Sequence, residues 1–275
     1  MLVNLNDLLP QAAAADYAIP CFSIFGLEDS KAVVEAAEAV NKPVILSCNK
    51  DMVDFYGVET VAAMLLNLVH DSRVPVCLHL DHTYEEAVVF RALKAGFSSV
   101  MFDGSQLPLT ENIARTRVVA DVAHSLGASI EGEIGSVPYN EGRDHIKTID
   151  TRPADAVRFA LESGVDCVAI SVGNVHRMTE PNCTIDFALL GQIAAKVSLP
   201  LVIHGATGIR DEDMRKLKKS RVAKFNIGTC LRQALWHNLR EQMNNEPDKF
   251  DRIYFMKKVM PFVTKEALHN FELLS

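Results

Sequence analysis

Three histidines each follow an apolar run that turns polar at its end. His82 closes "VPVCLHLDH", His176 sits in "GNVHRMTE" and His204 ends "LPLVIH". Neutral imidazole is a good zinc ligand, and catalytic zinc often takes three protein ligands and keeps a fourth position open. Asp81, beside His82, has the chemistry of a general acid/base next to such a centre. His79 lies two residues before Asp81, so both share one face of a regular strand. It suits a supporting hydrogen bond to Asp81 or to a ligand. Each residue has a plainer reading as well. The histidines also fit as hydrogen-bonded rim residues, and Asp81 as the N-cap of "TYEEAVVF", although Thr83 would serve that cap at least as well. No H-E-x-x-H helix is present, so topology must carry the metal reading.

Asp103 and Glu133 fit a second cation site or a hydrogen-bonding shell; alone, such residues are more often turn and strand polar groups. The loop "GSVPYNEGRDHIKTIDTRP" (135–153) is long for a strand-to-helix connection, and long loops in compact domains are often lids. It carries Glu141, either an acid delivered on closure or a solvated loop glutamate. "HGATGI" (204–209) and "NIGT" (226–229) place Gly205, Thr207, Gly228 and Thr229 where strands hand over to helices. Backbone amides and a helix N-terminus there suit a phosphate, while tight turns alone also use such glycines.

These residues need a scaffold that brings distant strand ends together. Eight short runs rich in Val, Ile, Phe and Cys recur at 19–25, 43–48, 74–81, 98–103, 128–135, 166–173, 199–205 and 222–228. Amphipathic segments separate them, and several, such as "EEAVVFRALKAG", end in glycine as helices often do. A doubly wound open sheet alternates in the same way. Eight units and 275 residues favour a closed (β/α)8 TIM barrel in one domain spanning 1–275, with one or two extra C-terminal helices from "FDRIYFMKKVMPFVTKEALHNF". Barrel chemistry sits at the C-terminal ends of the strands, where all the candidate residues fall.

The formal net charge of -7 argues against a nucleic-acid surface, whose affinity comes from Lys and Arg. The 6 cysteines form no C-x-x-C pair and several sit in apolar runs. Reduced thiols and a cytoplasmic location are the expectation. The N-terminus shows no basic region followed by a long apolar run, so no signal peptide or membrane span is expected.

"LHLDH", "SVMFDGSQLPLTENI", "GEIG", "VGNVH", "LVIHGATGI" and "KFNIGT" resemble, in order, the motifs of class II, zinc-dependent ketose-bisphosphate aldolases. The likeness runs from "MLVNLNDLL" through the eighth strand. It implies a (β/α)8 barrel with Zn2+ on His82, His176 and His204, and a lyase that reversibly splits a ketose (bis)phosphate into dihydroxyacetone phosphate and an aldehyde. Asp81 matches the residue that exchanges a proton with the C4 oxygen, and Glu141 the mobile-loop acid that handles the proton at C3 of the triose. Asn226 matches a triose-contacting residue, and Gly205, Thr207 and Thr229 the phosphate-binding stretch. Asp103 and Glu133 match second-metal positions, and a monovalent cation (Na+ or K+) near the phosphate is known in the family. Zinc would act as a Lewis acid on the carbanion left by C3–C4 cleavage. Relatives are commonly homodimers or homotetramers.

The chain departs from the family's pattern at substrate-facing positions. Arg177 replaces a usual glycine and Cys230 a usual acid. Ser23 and Phe25 stand where relatives carry asparagines, and "ILSCNKDM" lacks a Ser- and Gly-containing run. The usual C-terminal tail is absent. Arg177 suits a bidentate clamp on a carboxylate, phosphate or sulfonate, or an outward salt bridge. A non-standard substrate is therefore expected, such as a keto-deoxy-phosphogluconate or a sulfosugar phosphate. A non-catalytic sugar-phosphate-binding barrel, or a metal-dependent hydrolase or epimerase, are the competing readings.

Overall fold

The structure, a computed structural model, describes residues 1–142 and 146–275. Eight parallel strands run β1 (Ile19–Ser23), β2 (Val44–Asn49), β3 (Val76–Thr83), β4 (Ser99–Phe102), β5 (Ser129–Ile134), β6 (Cys167–Ile170), β7 (Leu201–Ile203) and β8 (Val222–Ile227). Each pairs with the next, and β8 pairs with β1 through Ile19↔Lys224 and Cys21↔Asn226, which closes the barrel. A two-residue strand, Leu2–Val3, adds to the foot of β3. The expected (β/α)8 barrel is the fold.

Strands buried on both faces read as near-continuous apolar runs, and their outward side chains pack under the helices. Phe22 meets Phe271 edge-on at 5.7 Å. The helix Leu27–Val40 buries Ala32, Val33, Ala36 and Ala37. Its first turn is fixed by the Asp29 carboxylate, which accepts the Phe25 and Gly26 amides at 2.7 and 2.9 Å. The helix Glu86–Ala95 stops at Gly96 with φ 104°, as its terminal glycine predicts. The C-terminal extension is one helix, Arg252–Leu274, which carries Pro261 and lies against Leu27–Val40 and Thr229–Asn245.

The barrel interior is layered. Its lower part is apolar, with Cys21, Ile45, Cys77, Ala169 and Val202 closed from below by Leu5, Leu8, Leu9 and Ala12. Above this the interior turns ionic: His79, Glu131 and Lys224 are fully buried, and Asp81, Glu133 and Asn226 stand two residues further along the same strands. All six cysteines are unpaired. Among the described residues no single helix is long and apolar enough to cross a membrane. The bent pair Lys50–Tyr56 and Val58–Asp71 passes on composition, yet Val58, Val61, Ala62, Leu65 and Val69 are buried in the core.

Gly132 separates Glu131 from Glu133 and faces outward. A Cβ there would lie 2.7 Å from Phe159 Cζ and 2.9 Å from Val165 Cγ1. Gly132→Ala should therefore cost about 1–3 kcal/mol by overpacking. Denaturant titration measures it, and Gly132→Ala together with Phe159→Leu should recover part of the loss.

Candidate metal centre and active-site mouth

The three predicted histidines converge. One ring nitrogen from each of His82, His176 and His204 lies within 4.8 Å of the others, and all three residues line one buried cluster. The ring centroids of His82 lie 4.8 Å from His176 and 4.7 Å from His204.

In His82 and His204 the other ring nitrogen is held by a carboxylate. His82 Nδ1 is 3.0 Å from Asp103 Oδ2, and His204 Nε2 is 2.8 Å from Glu131 Oε1. This leaves His82 Nε2 and His204 Nδ1 facing each other at 3.0 Å. His176 Nε2 is buried with no hydrogen-bond partner. Four nitrogens around a tetrahedral zinc at ~2.0–2.1 Å would lie roughly 3.3 Å apart, so a small opening of the His82–His204 pair admits an ion. An orphaned imidazole nitrogen beside two others, with carboxylates behind two of the rings, fits a divalent metal.

Strand geometry alone would not bring both Asp81 and His82 to the mouth, because successive strand residues face opposite ways. The pairing of β3 with β4 shifts register between Leu80 and Thr83. His82 itself takes φ 45°, a left-handed conformation uncommon for non-glycine residues. The irregularity turns its ring inward beside Asp81. Neither Asp81 nor Thr83 is a helix cap, contrary to that reading of the sequence. The helix begins at Glu86 with Glu85 at the N-cap position and no side-chain cap bond, and Thr83 is a buried strand residue.

Asp81 is held by its neighbour on the opposite wall: Asn226 Nδ2 donates to Asp81 Oδ1 at 3.2 Å, and Asn226 Oδ1 accepts from Lys224 Nζ at 2.6 Å. Lys224 Nζ also pairs with Glu131 Oε2 at 2.7 Å. His79 does not make the predicted bond to Asp81. Its Nε2 stands 3.9 Å from Asp81 Oδ1, and its Nδ1 meets Ser99 Oγ at 2.8 Å. Asn226 and Lys224 took the place that the sequence had suggested for His79.

Burial opposes ionisation at Asp81, but the positive charges of His82 and Lys224 outweigh it and lower the carboxyl pKa. Burial likewise opposes protonation of His82. There the carboxylates of Asp81, Asp103 and Glu133 prevail and raise the imidazole to about 9. His176 and His204 go the other way: burial, then the charge of His82, pushes both well below the ordinary histidine value. Burial, then the Asp103 charge, raises Glu133. His82, Asp103 and Glu133 form a second group with potential ligand atoms within 4.8 Å of one another.

The mouth above this cluster is lined by Asp81, His82, Tyr139, His176, Arg177, Gly205, Thr207, Asn226, Gly228, Thr229 and Arg232, with Ser23, Phe25 and Asn49. Gly205 takes φ 71°, and a Cβ there would fall 2.2 Å from the Val175 carbonyl, so backbone crowding alone requires glycine. Thr207 Oγ1 accepts the Cys230 amide at 3.2 Å, tying the β7 loop to the first turn of the helix Thr229–Asn245. Arg177 faces the mouth and also pairs with Asp51 at 3.3 Å. Glu141 is exposed, on the loop whose stems are bridged at Ser136↔Ile149 and which pairs with the loop after β6 at Tyr139↔His176.

Three lining or supporting residues escaped the sequence reading. Lys224 lies two residues before Asn226, so strand alternation alone points it inward. Arg232 lies one helical turn after Gly228 and Thr229, where i+3 and i+4 spacing returns to the same rim. Tyr139 precedes Glu141 by two residues and had no comparable signal.

The protein is similar to the YdjI aldolase from Escherichia coli K12, at 28% identity and TM-score 0.86, covering 100% of this chain and 98% of that one. It also shares its fold with fructose-bisphosphate aldolase (Fba) from Campylobacter jejuni, at 24% identity and TM-score 0.85, over 99% of this chain and 95% of that one. The profile of the family described as Fructose-bisphosphate aldolase class-II matches residues 3–275. With that match spanning the whole barrel and its histidine-lined mouth, the chain belongs to the class-II fructose-bisphosphate aldolase family and is an aldolase, a carbon–carbon lyase.

Proposed function

We propose that the chain catalyses zinc-dependent, reversible aldol cleavage of a ketose phosphate to dihydroxyacetone phosphate and an aldehyde, and that the far end of its substrate carries an anion. The observation that carries the metal reading is the orphaned His176 Nε2 beside His82 Nε2 and His204 Nδ1. His82, His176 and His204 would hold the zinc, which when bound supplies Lewis acidity for the negative charge left on the ketose half. Asp103 and Glu131 fix two of the rings from behind. Asp103 and Glu133, with His82, offer a second position for a metal.

Asp81 is the base for the C4 hydroxyl in cleavage and returns that proton in condensation. Its lowered pKa keeps it ionised, and Asn226 fixes its direction. Glu141, on the loop over the mouth, exchanges the proton at C3 of the triose. Thr207 already accepts a backbone amide, so its own O–H proton is directed away from that bond and serves an anion. Gly205, Gly228 and Thr229 complete a phosphate cradle at the start of the helix Thr229–Asn245. A monovalent cation would share that cradle.

The far-end anion is read from two arginines. Arg232 lies over the Phe25 ring at 4.9 Å, and its Nε is buried with no hydrogen-bond partner. Burial, then the charge of Arg177, lowers its pKa. Two guanidiniums on one rim, one with an unused donor, favour a phosphate, carboxylate or sulfonate.

His204→Ala should lose bound zinc and aldol cleavage together, read by metal analysis and by release of triose phosphate. Asp81→Ala should keep zinc and lose cleavage by about 10²–10⁴-fold, while solvent exchange at C3 of dihydroxyacetone phosphate persists. Equal loss of both would remove Asp81 from its assigned step.

Metal uptake should release protons. The His82 imidazole, raised to about 9, is protonated at neutral pH and must become neutral to bind an ion, whereas His176 and His204 are already neutral. Calorimetry in buffers of different ionisation enthalpy should show at least one proton released per zinc at pH 7. Affinity should rise with pH until His82 is deprotonated. Uptake with no proton release would contradict the assignment of His82.

Arg232→Met should raise KM by about tenfold or more for a substrate with a terminal anion, and leave a neutral-ended analogue unchanged. A substrate panel with varied terminal group and C4 configuration reads this directly.

A further inference from the structure

Tyr139 occupies a place that neither the barrel nor the proton chemistry requires. It lies on the loop that carries Glu141, yet its backbone is registered on the opposite loop. The His176 amide donates to the Pro138 carbonyl at 2.8 Å, and the Asn140 amide donates to the His176 carbonyl at 3.0 Å. These two bonds set residue 139 directly against residue 176.

The side chains follow the backbone. The Tyr139 and His176 rings stack with centroids 4.4 Å apart and planes 23° apart. The Tyr139 ring also reaches the His82 ring at 6.4 Å, and the Arg177 guanidinium carbon stands 5.3 Å from its centroid. His82 is held by Asp103 and His204 by Glu131. Among the described residues no carboxylate lies within salt-bridge distance of His176, while its Nε2 is buried and unpartnered. The His82 and His204 rings are held through a ring nitrogen by a carboxylate, whereas the His176 ring is held on its face by the Tyr139 ring.

We propose that Tyr139 is the positioning residue of His176: its ring sets the imidazole plane, so docking of the loop and retention of the metal are coupled. Stacked aromatic pairs add stabilisation beyond area burial, and outer partners of metal-binding histidines govern affinity and orientation. Two consequences follow from the geometry. The loop that carries Glu141 is seated only when His176 is in its binding orientation. The same ring also limits where the Arg177 guanidinium can lie.

The inference rests on the metal-centre reading above, and its test separates the two. Full-length protein is loaded with Zn2+, and the rate of zinc transfer to a chromogenic chelator is measured for wild type, Tyr139→Phe and Tyr139→Ala, with thermal unfolding of each metal-free protein as the control. Tyr139→Ala should lose zinc about tenfold faster than wild type, with an unchanged unfolding temperature, and Tyr139→Phe should stay within about twofold because the ring is retained. Cobalt-loaded Tyr139→Ala should also show an altered visible spectrum. Wild-type protein that takes up no zinc overturns the metal-centre reading itself. Zinc uptake by wild type with equal retention in Tyr139→Ala overturns only the role of Tyr139. So does loss in Tyr139→Phe as fast as in Tyr139→Ala, or loss that merely tracks a fall in unfolding temperature.

Discussion

A buried ammonium organises the interior of this barrel. Lys224 is fully buried and bonds to Glu131 on one side and Asn226 on the other. Burial would discharge a lone lysine, but the carboxylates of Glu131 and Asp81 outweigh it and raise its pKa. From this one cation two chains of contact run upward. Glu131 fixes His204, and Asn226 fixes Asp81. The proposed base and one proposed metal ligand thus take their directions from the same charge. Removing one partner of such a network leaves an uncompensated charge in low dielectric, which is costly. The arrangement is therefore stiff where the chemistry needs stiffness.

Backbone strain supplies what regular strands cannot. His82 and Arg177 both hold positive φ, at 45° and 58°. Such conformations in non-glycine residues cost of order 1–3 kcal/mol and persist where surrounding contacts over-determine them. At His82 those contacts are Asp103 and His204. At Arg177 they are Asp51 and the Tyr139 ring. At these two positions the strain lies at the rim and aims side chains into the mouth; Asn41 and Arg221, which also hold positive φ, precede β2 and β8 at the foot of the barrel.

Much of the barrel was legible because its strands are buried on both faces and so read as apolar runs. The rim histidines stood out because each interrupts the end of such a run. What the sequence hid is of a different kind. A lysine in "VAKFNIG" looks like an outward residue unless the interior is known to be ionic. The helix-cap reading failed at Asp81 and Thr83 because the strand continues through both, with its irregularity between Leu80 and Thr83. The contact of Tyr139 with His176 joins two loops 37 residues apart, with no periodicity to announce it. His79 was misread for a simpler reason: a shared strand face gives a direction and not a distance, and 3.9 Å to Asp81 is too long for a hydrogen bond.

The site divides physically into two halves. Asp81, Glu131, Lys224 and Asn226 project from strands and share one bonded network, so a change at any of them propagates to the rest. Phe25, Asp51, Tyr139, Arg177 and Arg232 come from loops and the first turns of helices, outside the strands that carry that network. Residues on loops can be exchanged without unpairing a buried charge. Of the positions where the sequence resemblance expects other residues, Ser23 ends β1, Phe25 and Arg177 lie on loops and Cys230 in the first turn of the helix Thr229–Asn245, while "ILSCNKDM" runs from within β2 into the helix Lys50–Tyr56. A barrel built this way lets the loop half change while the proposed base keeps its bonded support, with the Tyr139 ring, in contact with both His176 and Arg177, spanning the two halves.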